Sequence, residues 1–479
     1  MHLNIRLPAC PLSFRYFAVG LRPIYISMPG KSNDIDLRLT VSYRQILKIA
    51  LPISAALLVP QCNFITNNIF LGGLGERELA AAGITGVFYL IFAGVGFGLN
   101  NGLQALIARR AGENRIGDIG KIFSQGVFIA LAIACIGILS TYWIAPVIFK
   151  LTIHSEETYN MCMGFLKIRI WGLPFLYLYQ MRNALLVGTN HSRYLIAGTV
   201  AETIANVFFD YVLIYGQWGF PQFGFNGAAI ASVIAEFTGM FVVFAVIHWK
   251  GFHKTFLLYQ HRNFDRTATK LILIQSSPLI FQYAISIISW QFFYILIEHH
   301  GQRDLAISNT MRNIFGFFGV FTWAFAATSN TMVSNIIGQG LKEKVIPLIH
   351  KIVHVSMGLA ITTCIALNIF PHLFLSVYGQ GEDFIQSALP VLRIVSTALI
   401  LMSFATVWLN AVTGTGNTII NLAIEFIAIT LYSIYAYVVL EKLQLPITWG
   451  WAAEWIYWST MFLLSYLYIK SGRWKRKII

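Results

Sequence analysis

GERELA at residues 75–80 and GQRDLA at residues 301–306 lie 226 positions apart (75 to 301), each in a short polar gap between two long apolar runs. The same ungapped offset carries Pro52 onto Pro278, Gly112 onto Gly338 and Lys167 onto Arg393. It also superposes VGTN at 187–190 on TGTG at 413–416, and with a two-residue slip NGAAIA at 226–231 resembles WAAEW at 451–455. Chance supplies a glycine or proline coincidence or two. A constant offset across several helices indicates an internal repeat.

The flanking runs identify the solvent. The 479 residues are 57% hydrophobic and only 11% charged, with a mean hydropathy of +0.65. A soluble domain carries about a quarter charged residues, so lipid must cover much of this surface. Apolar runs of roughly 20 residues, the length a helix needs to cross the hydrocarbon, occur at about 46–71, 82–106, 121–147, 161–187, 194–216 and 226–248. They resume at about 271–298, 308–335, 346–374, 385–411, 417–440 and 447–470. Spanning β-strands need only about ten residues of alternating polarity, so the expected fold is all-α. It has twelve transmembrane helices in two six-helix lobes, 42–248 and 271–470. An even number of spans per half gives both the same orientation, related by a pseudo-twofold along the membrane normal with a cavity between them. Residues 249–270 are expected as the linker and 471–479 as a basic tail.

The net charge of +14 reports topology. Lys31, Arg38, Arg44, Lys48, Arg109, Arg110, Arg115, Lys121, Arg182, Arg193, Lys250, Lys254, Arg262, Arg266, Lys270, Lys342 and Lys344 fall on one side, with the tail from Lys470 to Lys477. The other side holds Arg77, Lys150, Arg303 and Lys442. The positive-inside rule puts both termini in the cytoplasm, and nucleic acid is not an expected partner. Residues 1–41 read as an extension too short and proline-broken to span, with Met28 the expected start. The five scattered cysteines form no CxxC pair and suggest neither a disulfide framework nor a zinc site.

LP at 51–52, NNIFLGGLGERELAAAGI at 67–84, ANVFFDYVLIYG at 205–216, GFPQFGFNGAAIAS at 219–232 and TGTGNT at 413–418 form a set of motifs. In this set the sequence resembles the MATE (multidrug and toxic compound extrusion) family. The resemblance covers about 42–479. It implies alternating access and efflux of organic cations or amphipathic drugs in exchange for H+ or Na+, with no other cofactor.

Ionisable groups inside a membrane are costly and are functional candidates by default. Here they are Glu202, Asp210, Glu236, Glu298, Glu425 and Glu454, with Lys167, Arg169, Arg312 and Arg393. Asn206 and Asp210 lie four apart on one helix face and match the Asn and Asp of the family's N-lobe ion site. Desolvation favours the neutral form of a carboxyl, so Asp210 is expected to take a proton or to stay ionised by coordinating Na+. The alternative is a packing Asp bonded to Asn or Tyr partners. Asn67 stands where the family commonly has an Asp. Ser286 and Ser403 stand where many members place acidic residues, so coupling is expected in the N-lobe. Glu202 assists Asp210 or lines a wet crevice. Glu425 and Glu454 are expected to face each other or the basic residues across the C-lobe, as a structural ion pair at least as readily as in a binding role. Glu298-His299-His300 reads as an interfacial anchor, and Lys167 and Arg393 as snorkelling residues.

Pro52 and Pro60 remove backbone donors within the first helix, predicting a hinge or a static kink. The resemblance assigns the family's first-helix proline to Pro52. Gln282, Tyr283, Trp290, Phe292 and Phe293 on the seventh helix are expected to line a cavity for flat lipophilic cations, or else to pack between helices or face lipid. A monomer is expected, in the cytoplasmic (inner) membrane. The alternative function is a flippase for lipid-linked glycans or lipids, which would favour several basic residues in the cavity. An enzyme is not expected, since HExxH, GxSxG and P-loop patterns are absent.

Overall fold

The computed structural model describes residues 36–153, 155–261, 263–378 and 381–477, and among them every regular element is helical. Residues 1–35, and with them the expected start at Met28, lie outside this description. In the first lobe the long helices are α1 (Tyr43–Gly72), α2 (Glu76–Gly112), α3 (Ile116–Trp143), α4, α5 (Leu195–Tyr215) and α6 (Phe225–Trp249). Helix α4 runs from Glu156–Arg169 through a 3-10 turn, Ile170–Gly172, into Leu173–Gly188. The second lobe holds α7 (Arg266–Glu298), α8 (Gln302–Gly338), α9 (Val345–Ile369), α10 (Glu382–Gly414), α11 and α12. Helix α11 spans Thr418–Ala436 and ends in a π turn, Tyr437–Lys442, while α12 is formed by Ile447–Trp451 and Ala453–Lys470. Among the described residues, nine of these segments are long and apolar enough to cross a membrane by length and composition alone. Helix α8 is not one of them because its last third is polar. Thr328, Ser329, Asn330, Thr331, Ser334 and Asn335 are all buried in protein.

The repeat is visible in the packing. Helix α1 packs on α5, α5 on α6, and both α2 and α3 on α4. The second lobe repeats this as α7 on α11, α11 on α12, and α8 and α9 on α10. The lobes meet through α2 with α7, α1 with α8, and α2 with α8. Helices α2 and α8 have 37 residues each, about 55 Å at 1.5 Å per residue, well beyond the apolar runs at 82–106 and 308–335. Hydropathy sees only the lipid-facing middle of a helix, whereas helix continues until something stops it. Here the start is set by Gly75 (φ 149°) and Gly301 (φ 111°), a left-handed turn that side chains resist.

At the face carrying the start of α1 and the end of α12, α2 and α8 cross almost backbone to backbone. A Cβ on Gly112 would sit 2.0 Å from the Asn335 carbonyl oxygen, and one on Gly338 would sit 2.3 Å from that of Arg109. These contacts exchange under the 226-residue offset (109 to 335, 112 to 338). A polar seam runs along the crossing. Ser334 Oγ donates to the Ala105 carbonyl (2.6 Å), and Asn335 Nδ2 to that of Ala108 (3.2 Å). Asn330 Nδ2 donates to the Asn101 carbonyl (3.1 Å), and Arg109 reaches the Gly414 carbonyl (3.1 Å). The segment before α1 is strapped onto the other lobe: Leu39 N–H donates to Asn335 Oδ1 (3.0 Å) and Gln339 Nε2 to the Leu39 carbonyl (3.0 Å). Toward the opposite end no comparably close α2–α8 contact occurs at the glycines of these helices among the described residues. Ile84, Val87, Leu90 and Ile91 of α2 and Phe317 and Trp323 of α8 are exposed, and a Cβ on Gly83, Gly86 or Gly316 would meet nothing within 4 Å.

The 249–270 linker is docked rather than loose. Phe256 and Leu258 are buried, Ser124 Oγ of α3 donates to the Leu258 carbonyl (2.7 Å), and Gln125 Nε2 to that of Asn263 (2.9 Å). Asp265 caps α7 by accepting from Ala268 N–H (2.8 Å) and pairs with Lys121 (2.6 Å), so α7 begins at 266. The Lys121 hydrogen bond, then the Ala268 amide, hold the Asp265 carboxyl below the usual carboxylate range.

Helix α1 stays helical through Pro52 and Pro60, and α7 through Pro278. Pro278 frees the carbonyl of Ile274, which accepts instead from Thr418 Oγ1 (3.4 Å). In the first lobe Ser192, the repeat equivalent of Thr418, donates to the Ile49 carbonyl (3.3 Å). Both proline-containing helices thus accept a hydroxyl from the start of the helix packed on them.

Candidate ion and substrate site

Asp210 and Asn206 lie on the buried face of α5, each 1% exposed. Tyr215, five residues on, donates to the Phe70 carbonyl of α1 (3.0 Å), which aligns the two helices. Asn67 lies three residues before Phe70 on α1. Among the described residues both carboxylate oxygens of Asp210, both amide atoms of Asn206 and Oδ1 of Asn67 are buried without a hydrogen-bond partner. Nearly all buried polar atoms are paired in folded proteins. A carboxylate without donors must bind a proton or a cation to persist in such a place.

Glu202 lies two turns before Asp210, against Gly239 of α6, where a Cβ would sit 2.9 Å from its Oε2. It is within electrostatic reach of a cluster that the sequence does not reveal. Arg169, at the end of the first part of α4, clasps Glu236 of α6 with both terminal nitrogens (2.8 and 2.6 Å). Tyr89 of α2 donates to the same carboxylate (3.0 Å), and its ring lies 3.7 Å beneath the guanidinium. The ion pair packs onto the break in α4: a Cβ on Gly172 would lie 2.0 Å from Glu236 Oε2. Arg169, Glu236 and Tyr89 are remote in sequence; Arg169 and Glu236 were candidates only as intramembrane charged residues, and nothing in the sequence pointed to Tyr89.

In the C-lobe the expected ion pair with a basic residue is not what Glu425 and Glu454 form. Glu425 accepts from Ser286 (2.7 Å), Gln282 (3.1 Å) and Tyr457, and Glu454 from Trp458 (2.8 Å). All these donors are neutral. Arg312 instead stacks on Tyr294 (5.4 Å). Lys167 and Arg393 are exposed at equivalent places. His299 pairs with Glu441 (2.9 Å) and His300 bonds the Leu440 carbonyl (3.0 Å), tying the end of α7 to the π turn of α11.

Of the aromatic wall, Tyr283 faces the other lobe. Its hydroxyl accepts from Asn101 Nδ2 of α2 (2.9 Å), and its ring lies 6.1 Å from that of Phe97. Gln282 points instead to Glu425. Trp290 lies against Tyr294 (5.7 Å). Phe293 has no exposed surface and packs between Trp451 (5.4 Å) and Tyr432 (5.6 Å), inside the lobe.

Two six-helix lobes related by a repeat, crossed at one face and each holding buried acids, define a repeat-built membrane transporter. The chain belongs to the MatE family. The family model matches twice, at residues 52–212 and 278–438, and the matches are displaced by 226 (52 to 278, 212 to 438), the offset of GERELA and GQRDLA. Among curated relatives, a probable multidrug resistance protein NorM of Thermotoga maritima is 23% identical, covering 91% of this chain and 94% of that protein. Its counterpart in Synechocystis sp. is 24% identical over 73% of this chain and 77% of that protein. Among solved structures, MATE in complex with MaL6 superposes with a TM-score of 0.84 at 16% identity, covering 92% of this chain and 99% of that one. An outward-facing multidrug resistance MATE transporter gives 0.83 at 16% identity, covering 93% and 99%.

Proposed function

We propose that this chain is a secondary-active exporter that exchanges lipophilic or cationic small molecules for H+ or Na+ by alternating access. In this reading both termini are cytoplasmic, so the crossed α2–α8 face is the closed inner gate and the opposite end opens outward. The relatives' names support the substrate class. The observation that carries the coupling is Asp210, a buried carboxylate that has no donor among the described residues, one helical turn from the unpartnered amide of Asn206, with Asn67 Oδ1 also unpartnered on the adjoining helix. Filling it with a proton or Na+ neutralises a buried charge in one lobe and biases a two-state bundle. Asn67 supplies an oxygen but no charge, so Asp210 carries the charge change.

The test is efflux of a cationic dye from proteoliposomes under imposed H+ or Na+ gradients, for the wild type and Asp210→Asn. The expected result is gradient-driven efflux that falls at least about tenfold in the variant, the effect of about 1.4 kcal/mol in a driving step. Undiminished efflux in Asp210→Asn removes this residue from the mechanism.

A further inference from the structure

Glu425 is a second buried acid whose surroundings match the exchange of a charge. It lies seven residues into α11 and is 1% exposed. Its Oε1 accepts from Ser286 Oγ (2.7 Å) and the Tyr457 hydroxyl, and its Oε2 accepts from Gln282 Nε2 (3.1 Å). These partners come from α7 and α12 and none is charged. Among the described residues, the other titratable groups in its neighbourhood are Tyr283, Tyr457 and, beyond Tyr457, Glu454.

The hydroxyl of Ser286 decides what this cluster can do. Its oxygen lies 2.9 Å from the Gln282 carbonyl as well as 2.7 Å from Glu425, and its single hydrogen serves one acceptor at a time. With Glu425 ionised, Ser286 donates to the carboxylate. With Glu425 protonated, the acid donates to Ser286 Oγ and the serine hydrogen turns to the Gln282 carbonyl. Tyr457 can likewise give or take a hydrogen bond. Both protonation states are therefore satisfied without moving a helix. Glu236 is built the opposite way: Arg169 has donors only, so protonating Glu236 would orphan the guanidinium.

The cluster also stands where a change of charge can be felt. Gln282 and Ser286, one turn apart on α7, hold Glu425, while Tyr283 between them bonds Asn101 of α2 across the lobe interface (2.9 Å). We infer that Glu425 is a second proton-exchanging site, in the C-lobe, with Ser286 as its switching partner. The inference rests on the ion-coupled antiport proposed above. It adds one proton per cycle, taken up as COO⁻ + H⁺ → COOH from one aqueous side and released to the other.

The experiment uses the full chain in proteoliposomes with ethidium as the probe and an imposed gradient of one pH unit. The limiting dye ratio scales about tenfold per pH unit for each proton exchanged. Glu425→Gln is expected to lower it about tenfold while ethidium still binds, and Asp210→Asn to leave a residual gradient that the double variant loses. An unchanged ratio in Glu425→Gln, or a deficit that appears only under a Na+ gradient, overturns the proposal. Infrared difference spectra against pH, recorded in lipid without any substrate, test the site separately. A protonated-carboxyl band that disappears in Glu425→Gln and whose midpoint moves in Ser286→Ala supports it. A spectrum identical in wild type and Glu425→Gln overturns it, even if ethidium transport itself is absent.

Discussion

Gly112→Ala places a methyl group 2.0 Å from the Asn335 carbonyl oxygen, 2.9 Å from its carbon and 3.1 Å from the Cα. All three atoms are backbone, so no side-chain rotation relieves the clash. Restoring a contact of about 3.2 Å requires the α2–α8 crossing to open by about 1.2 Å, and a donor–acceptor pair at about 3.6 Å or beyond is no longer a hydrogen bond. The two bonds nearest the crossing, Ser334 to Ala105 (2.6 Å) and Asn335 to Ala108 (3.2 Å), are then lost. At about 0.5–1.5 kcal/mol each, the closed seam weakens by about 1–3 kcal/mol, a shift of about 5- to 150-fold in the balance between the two arrangements of the lobes. Spin labels at Leu90 of α2 and Phe317 of α8, both exposed at the opposite end, report that balance as a distance distribution in nanodiscs, after replacement of the native cysteines. The expected outcome is growth of the shorter-distance population in Gly112→Ala. Gly117→Ala, where a Cβ meets nothing within 4 Å, leaves the distribution alone. An unchanged distribution in Gly112→Ala refutes the assignment of this crossing as the gate.

Three further outcomes are expected. Arg169→Ala strands the buried Glu236 carboxylate and should lower stability in detergent by about 3–5 kcal/mol, with Arg169→Met plus Glu236→Gln recovering most of it; thermal unfolding of the single and double variants checks this. Asp210→Asn replaces a buried carboxylate that lacks donors among the described residues and should raise the melting temperature while impairing transport, by about 1–3 kcal/mol of relieved desolvation; a lower melting temperature would show that Asp210 holds the fold together. Burial, aided by Arg193 and Lys48, pushes the His191 imidazole from 6.5 down to about 4, where its ring packs 4.3 Å from Phe252 of the linker. A depressed histidine leaves the unfolded chain binding more protons. The stabilisation is therefore whole above about pH 6.5 and is lost as pH falls toward 4, to a limit of about 3 kcal/mol; His191→Leu should flatten the acid limb of a melting-temperature profile across that window.

The repeat, the membrane solvent and the family were legible in the sequence, because each depends on composition and spacing along one dimension. The 226-residue offset located the equivalent glycines and prolines, and the apolar runs located the spans. They underestimated α2 and α8, since the polar ends of a helix buried in protein do not register as lipid-facing. Asp210, Asn206 and Asn67 were identifiable as unusual polar residues in apolar runs, and the structure places them on the facing helices α5 and α1. Which acid pairs with which partner was not legible. Arg169 with Glu236, 67 residues apart, and Glu425 with Ser286, 139 apart, depend on the rotation and crossing of helices, which hydropathy does not encode. For the same reason Phe293 and Tyr283 share an apolar helix and differ in role, one packed inside its lobe and the other bonded across the lobe interface. Sequence thus determined that two like halves lie in a membrane with acids inside them. Tertiary structure decided that Glu236 is neutralised by an arginine, that Asp210 has no partner among the described residues and that Glu425 is cradled by neutral donors, because only the meeting of helix faces sets the partners of a buried charge.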